Sequence, residues 1–343
     1  MLPPNDEAAG PSLPPMRILF GIMSAVQPAA TVGSLVDALG TRHPILIHHD
    51  WSQQDEFPLS RPNVSFVQQP ARTGWADWGF SQGILRLVSE AVRTQQFDYF
   101  QLLSPTCLPV RPIKAFEAHL ASTGADFLID SVALDSDINV LMSHGWRAYA
   151  PAHTLQHRLL RGARRWYFGS DPIVASRSGL AFPVTSMNER PGARALLARI
   201  ARGLTLQAKN GIGFSHPFTP EFPCFAGSTW FAASRRGCEH LLERAADEAL
   251  TAGFSRMYMG DEMYFPSIFR NSGLRCAPAV HYIARFVDAR PSWFNLTDIP
   301  EIRRSGAFFA RKFPEDPASP VRAAATALRV EHDAPIGSTT QPV

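Results

Sequence analysis

The chain has 343 residues, 45% of them hydrophobic and 18% charged, with a formal net charge of +3. That length allows one large α/β domain or two smaller ones, and the apolar fraction excludes global disorder. The charge is too small to argue for nucleic acid; a mild basic excess suits an anionic small substrate, loose contact with an acidic membrane surface, or an ordinary solvated surface. The four cysteines (Cys107, Cys224, Cys238, Cys276) are dispersed with no CxxC pair, which argues against a disulfide scaffold and a zinc site and fits a reducing compartment. The opening Met1 to Glu7 lacks a basic region and an apolar run, and no stretch approaches the roughly 18 consecutive apolar residues of a membrane span. The expected location is cytoplasmic, with room for peripheral contact at the inner membrane.

In chain order, residues 1–15 are rich in proline and small residues and read as a loose tail. Arg17 to Met23 is a continuous apolar run, as in a strand buried on both faces, and Pro44 to His49 is a second, ending at Asp50. Between them Val32, Leu35, Val36 and Leu39 have helical spacing. Strand, helix, strand begins a parallel sheet. Asn63 to Val67 predicts a third strand, and Gly79 to Gln95 an amphipathic helix with Phe80, Ile84, Leu87, Val88 and Ala91 on one side. Phe97 to Leu103 predicts another strand, Ile113 to Leu120 a helix, and Asp126 to Asp130 an extended segment.

Residues 135–220 are less regular and carry an arginine-rich patch (Arg158, Arg161, Arg164, Arg165); they read as insertions that cover the sheet and help shape an acceptor site. A strand from Ala226 to Ala233, a helix from Arg235 to Leu250 capped by Ser234, and a helix after Gly260 follow. Beyond Arg311 a short helix and a polar tail are expected. The domain reading is a tail at 1–15, one domain over 16–325, and a polar tail at 326–343.

Five stretches occur in a telling order: Ile47-His48-His49-Asp50; Trp75-Ala76-Asp77-Trp78-Gly79-Phe80-Ser81; Asp98 to Ser104 leading into Leu108-Pro109-Val110; Gly227-Ser228-Thr229-Trp230-Phe231 with Asp261-Glu262-Met263-Tyr264-Phe265; and Phe308-Phe309-Ala310-Arg311-Lys312-Phe313. Over about residues 16–325 this series resembles the core-2/I-branching glycosyltransferase family, which includes β-1,6-N-acetylglucosaminyltransferases and peptide O-xylosyltransferases. The resemblance implies a GT-A-type α/β fold with a mostly parallel central sheet flanked by helices. It implies an inverting transfer from a UDP-sugar, carrying N-acetylglucosamine or xylose, to a hydroxyl of a glycan, glycolipid or protein, forming a β-linkage. No cofactor and no metal are implied. The reaction needs a base for the acceptor hydroxyl and positive charge for the leaving diphosphate.

Carried over residue by residue, the resemblance makes Glu262 the base, with Asp261 its partner or the helix cap. Position alone favours the plainer reading, an acid stabilised by the helix dipole; the resemblance is what favours the base. Pro266 falls in the first turns of that helix, so a late start or a bend is expected. Arg311 and Lys312 become the diphosphate clamp, a planar fork plus a compact charge held by Phe308, Phe309 and Phe313; an exposed basic pair is the plain alternative. Asp50, at a strand's carboxyl end, corresponds to an aspartate that contacts the nucleoside. Trp78 and Gly79 match an element near the donor, and a packed core tryptophan fits as well. His48 and His49 alternate across their strand, which argues against a shared metal. After Ser104 the family continues Gly-Ser-Asp-Tyr-Pro, whereas this chain reads Pro105-Thr106-Cys107-Leu108-Pro109, so substrate contacts do not transfer there.

Two other patterns compete. Asp135-Ser136-Asp137 spells DxD, which in many transferases holds a divalent cation. Gly79-Phe80-Ser81-Gln82-Gly83 spells GxSxG, and with Asp261 and His281 downstream it has the order of a serine-hydrolase triad. That elbow must leave a strand directly, and Arg72 to Trp78 is a polar loop. A third reading is a nucleotide-sugar-binding module without catalysis.

Overall fold

The computed structural model describes residues 16–169, 174–177, 180–183, 192–279, 282–287 and 290–331. The expected tail at 1–15, residues 332–343 of the tail expected at 326–343, and His281 lie outside the described residues. The elements begin β1 (Ile18–Ser24), α1 (Ala29–Leu39), β2 (Ile45–His49), β3 (Val64–Phe66), α2 (Trp78–Thr94), β4 (Tyr99–Leu103), β5 (Leu108–Pro109), α3 (Ile113–Thr123), β6 (Phe127–Leu128) and β7 (Ser131–Ala133). Next come α4 (Ile138–Ala148), α5 (Leu155–Phe168), β8 (Val174–Arg177), β9 (Leu180–Pro183), α6 (Ala193–Lys209), β10 (Phe225–Gly227), β11 (Ala232–Ser234), α7 (Arg235–Ala245), α8 (Glu248–Ser255) and α9 (Asp261–Arg270). The chain closes with β12 (Cys276–Ala277), β13 (Tyr282–Ala284), β14 (Phe286–Val287), β15 (Arg290–Pro291), α10 (Ile299–Ser305), β16 (Phe309–Arg311) and α11 (Pro320–Glu331).

The central sheet runs β12-β6-β11-β4-β1-β2-β3. Its pairings are parallel except those of β11, which lies antiparallel between β6 and β4. This mostly parallel sheet flanked by helices is the expected architecture. The continuous apolar strands are explained by cover on both faces. Ile18, Phe20 and Ile22 pack with α1 and α3, while Leu19 and Met23 pack with α2 on the opposite side.

A second sheet, β13-β16-β5, lies beside the carboxyl end of β4, because β5 follows the turn Ser104–Cys107 that ends that strand. Phe309 locks β16 in place: its ring meets Phe116 edge-on at 5.1 Å and Phe20 at 6.1 Å, with no solvent exposure. Burial of one such ring contributes about 1.5–3 kcal/mol, and the two residues beyond β16's core inherit that fixed position.

Four expectations are corrected. Residues 226–233 form not one strand but two, β10 pairing β7 and β11 joining the central sheet, with Ser228 to Phe231 as the crossing between them. The helix expected over 235–250 is broken into α7 and α8, with Asp247 capping the second through Leu250 N. Among its described residues the stretch 135–220 holds three helices, and α4, α5 and α6 share a buried cluster of Met142, Ala163, Tyr167, Phe168, Ala198 and Ala201. Finally, α11 carries past the expected boundary at 325, with Leu328 buried.

Candidate active site

The start of α9 is held from three directions. Asp261 accepts a hydrogen bond from Thr229 Oγ1 at 2.5 Å, which ties the helix to the β10–β11 crossing. Met259 N donates to Ala76 O at 3.2 Å, tying it to the Trp75–Gly79 loop. Arg147 on α4 donates through Nη1 to Glu262 Oε2 at 2.6 Å. The helix starts directly at Asp261 despite Pro266, so the late start is not seen. Proline there has no N–H for the carbonyl of Glu262, one turn back.

Burial, reinforced by the neighbouring Glu262 charge, raises Asp261 from 3.8 to about 6, against the opposing Thr229 bond and Arg147. Because this carboxyl is protonated more readily folded than unfolded, the folded state binds more protons between about pH 4 and 6, and stability falls as pH rises through that window. Asp261→Asn is expected to flatten that slope, measured as urea unfolding free energy at pH 4, 5, 6 and 7. A slope unchanged in the variant removes Asp261 as its source.

Arg147 was not anticipated. It is 7% exposed on a helix whose neighbours Val140, Leu141, Met142 and Ala148 are buried. A lone arginine at a buried helix position needs an anionic partner, and that signal was available in the region read as insertions. It grips one oxygen of Glu262 and leaves Oε1 without a hydrogen bond from any described residue.

Arg311 packs on the β10–β11 crossing, the same crossing whose Thr229 holds Asp261. The Arg311 guanidinium sits 4.6 Å over the ring of Trp230, the residue after Thr229. Arg311 makes no ion pair with a described residue, and its buried Nε has no hydrogen-bond partner. Burial lowers its proton affinity, while Cys107 and Glu262 act in the opposite sense. Glu262 is therefore close enough for its charge to be felt. Lys312 Nζ lies 4.8 Å over Trp293, and burial together with Arg311 lowers its pKa. The backbone is pinned on both sides: Phe294 N donates to Lys312 O at 2.8 Å and Phe313 N to Thr106 O at 2.9 Å. The segment 104–109, where the family pattern is lost, thus holds β16 and the residues that follow it. Ser104 Oγ is spent on Thr106 Oγ1 and Cys107 Sγ, both at 3.2 Å.

Asp50 is 2% exposed and accepts five bonds: from Ser52 N and Oγ, Gln53 Nε2, and Thr73 N and Oγ1, at 2.6–3.0 Å. Burial opposes its ionisation, but the bonds from Ser52, Gln53 and Thr73 outweigh it and hold the carboxyl far below its ordinary range. Direct contact with a nucleoside therefore requires one of these donors to be exchanged; as found, Asp50 joins the β2 loop to the Trp75 loop. Asp50→Asn is expected to lower unfolding free energy by about 2–4 kcal/mol, because an amide nitrogen would face donors that need an acceptor. A loss under about 0.5 kcal/mol in urea titration would show that the hub is dispensable.

Trp78 opens α2, with Asp77 accepting from Gly79 N at 2.8 Å, and packs edge-on against Tyr264 at 5.0 Å. The packed reading of Trp78 is realised, and its partner lies two residues from Glu262. A Cβ on Gly79 would stand 2.4 Å from Arg72 O, so this turn demands glycine. His48 and His49 turn to different partners: His48 Nε2 accepts from Ala71 N at 2.8 Å, and His49 meets Ser24 Oγ and Gln54 O. Burial takes His48 down to about 4, leaving a neutral ring.

The two competing patterns dissolve. Asp137 caps α4 through Asn139 N at 2.7 Å and Asp135 pairs with Lys209 at 3.1 Å, so the DxD residues serve local structure. Ser81 lies within α2, fully buried, not at a strand-to-helix elbow, and cannot reach a substrate as a nucleophile. Among the described residues no three His, Cys, Asp or Glu side chains gather as a metal site. Nor is any described helix long and apolar enough to cross a membrane. A groove of about 590 Å³ lies beside α1, between Ala29, Gly33, Leu59 and Pro317, and is lined by none of the candidate site residues.

A match of residues 42–192 to a family model of branching enzymes supports a glycosyltransferase. The family is described as Branch: Core-2/I-Branching enzyme, the same one that the motifs resemble. The matched residues are under half of the chain; they hold Asp50, Trp78, Gly79 and Arg147, and stop short of Glu262, Arg311 and Lys312. No curated protein matches the sequence. Among solved structures, apo mouse xyloside xylosyltransferase 1 is similar over 86% of this chain and 96% of its own, at 9% identity and a TM-score of 0.36, too distant to bear on the site.

Proposed function

We propose that the chain is an inverting, metal-independent transferase that moves a sugar, N-acetylglucosamine or xylose, from a UDP-sugar to an acceptor hydroxyl. The observation that carries this reading is Arg311: a partly buried cation with no carboxylate partner among the described residues and an unpartnered Nε, beside Lys312 and within the field of Glu262. A desolvated cation left unpaired is costly unless an anion completes it, and a diphosphate has the charge and the oxygen geometry for a guanidinium fork.

In this reading Glu262 Oε1 takes the proton of the acceptor hydroxyl as its oxygen bonds to the anomeric carbon. The bond from that carbon to the diphosphate oxygen breaks on the opposite face, which inverts configuration. UDP leaves with its new negative charge between Arg311 and Lys312. Arg147 orients Glu262, and Asp50, Trp78 and Gly79 hold the loops around the donor. The acceptor is a glycan, glycolipid or protein hydroxyl, and the compartment proposed is the cytoplasm.

The test is a melting-temperature screen with UDP-N-acetylglucosamine and UDP-xylose, with and without EDTA. A donor at 100 times its Kd adds about 2.7 kcal/mol, and the rise is expected to survive chelation. A rise that appears only with added divalent ions overturns the metal-free clamp. A full rise with no transfer to any hydroxyl acceptor returns the non-catalytic binding module.

A further inference from the structure

Helices α5 and α6 each bury one side against α4 and turn the other outward. On α5 the outward line is Leu155, Leu159 and Trp166, which are 69%, 44% and 43% exposed. Their spacing of four and seven places them on one stripe of the helix. Gly162 completes it, with open space where a Cβ would stand. On α6 Leu196, Leu197 and Ile200 are 52%, 41% and 50% exposed. Six large apolar side chains in water on one pair of helices exceed the scatter of a monomer surface.

Within these two helices the charge has one sign. Neither helix contains an aspartate or a glutamate. Arg158, Arg165, Arg194, Arg199 and Arg202 form no ion pair with a described residue. A second copy docked on this face would bring two acid-free, arginine-rich surfaces together, which like-charge repulsion opposes. An anionic bilayer supplies both complements: acyl boundary for the stripes and lipid phosphates for the guanidinium forks.

We propose that the α5–α6 face is a peripheral docking surface for anionic membranes, with Leu155, Leu159 and Trp166 entering the headgroup boundary and the flanking arginines binding lipid phosphates. The inference stands apart from the proposed donor and mechanism, since none of these residues touches Glu262 or Arg311.

The full chain would be floated with vesicles of equal parts phosphatidylglycerol and phosphatidylcholine, and with phosphatidylcholine alone. It is expected to rise with the first and not the second at about 0.1 M salt, and to bind less at about 1 M, where screening is far shorter. L159S/W166S and, separately, R158E/R165E are each expected to reduce bound protein about tenfold or more, with melting temperatures matching wild type. Should either fail to fold, R199E/R202E on α6 supplies the comparison. No flotation with anionic vesicles, or equal flotation of wild type and variants, overturns the proposal. So does a concentration-dependent dimer that L159S/W166S dissolves without any vesicle binding.

Discussion

Glu262→Gln is expected to lower kcat by about 10³-fold, within the range lost when a positioned base is removed, while the melting-temperature rise from UDP-sugar persists. The amide keeps the size of the side chain and an oxygen for the Arg147 Nη1 that now sits 2.6 Å from Oε2, so folding should survive. What it loses is the oxygen free to take a proton. Glu262→Ala is a poorer probe: Arg147, 7% exposed, would be left buried without an anion, a destabilisation that confuses lost chemistry with lost structure. Turnover by Glu262→Gln within tenfold of wild type would remove Glu262 as the base.

Arg311→Met is expected to cost about 10²–10³ in kcat/KM, the scale of losing one aligned donor to developing negative charge, and also to abolish most of the donor-induced melting shift. Methionine keeps apolar bulk over Trp230 but supplies neither charge nor fork. Arg311→Lys should recover part of the binding and less of the rate, because an ammonium gives a point charge without paired parallel bonds. The two sites thus have opposite signatures: the base variant binds and does not turn over, the clamp variant does neither. An Arg311→Met protein that still gains its full thermal shift from UDP-sugar would place the diphosphate elsewhere.

The parts of the site that could be read in the chain are those where a residue's neighbours in sequence set its surroundings. Asp50 follows an apolar strand, and Phe308, Phe309 and Phe313 bracket Arg311 and Lys312 with bulky anchors. Arg147 escaped because its partner is 115 residues away, and because it lies in a stretch read as irregular and arginine-rich. The GxSxG and DxD patterns, weighed as competitors, fail for a related reason: a short pattern carries no three-dimensional context, which buries Ser81 inside a helix and makes Asp137 a helix cap.

By itself the sequence determined the strand–helix alternation of its first half, because both sheet faces are covered and burial forces unbroken apolar runs at β1, β2 and β4. It also determined the order of the motifs that mark the family. Tertiary structure alone decided that Ser228 to Phe231 crosses between two sheets, so that Thr229 reaches Asp261 while Trp230 lies under Arg311. It alone decided that Asp50 spends its charge on five hydrogen bonds from three neighbours rather than standing open. Ion pairs and hydrogen bonds between distant segments depend on separations of a few ångströms, which the fold sets and no local periodicity encodes.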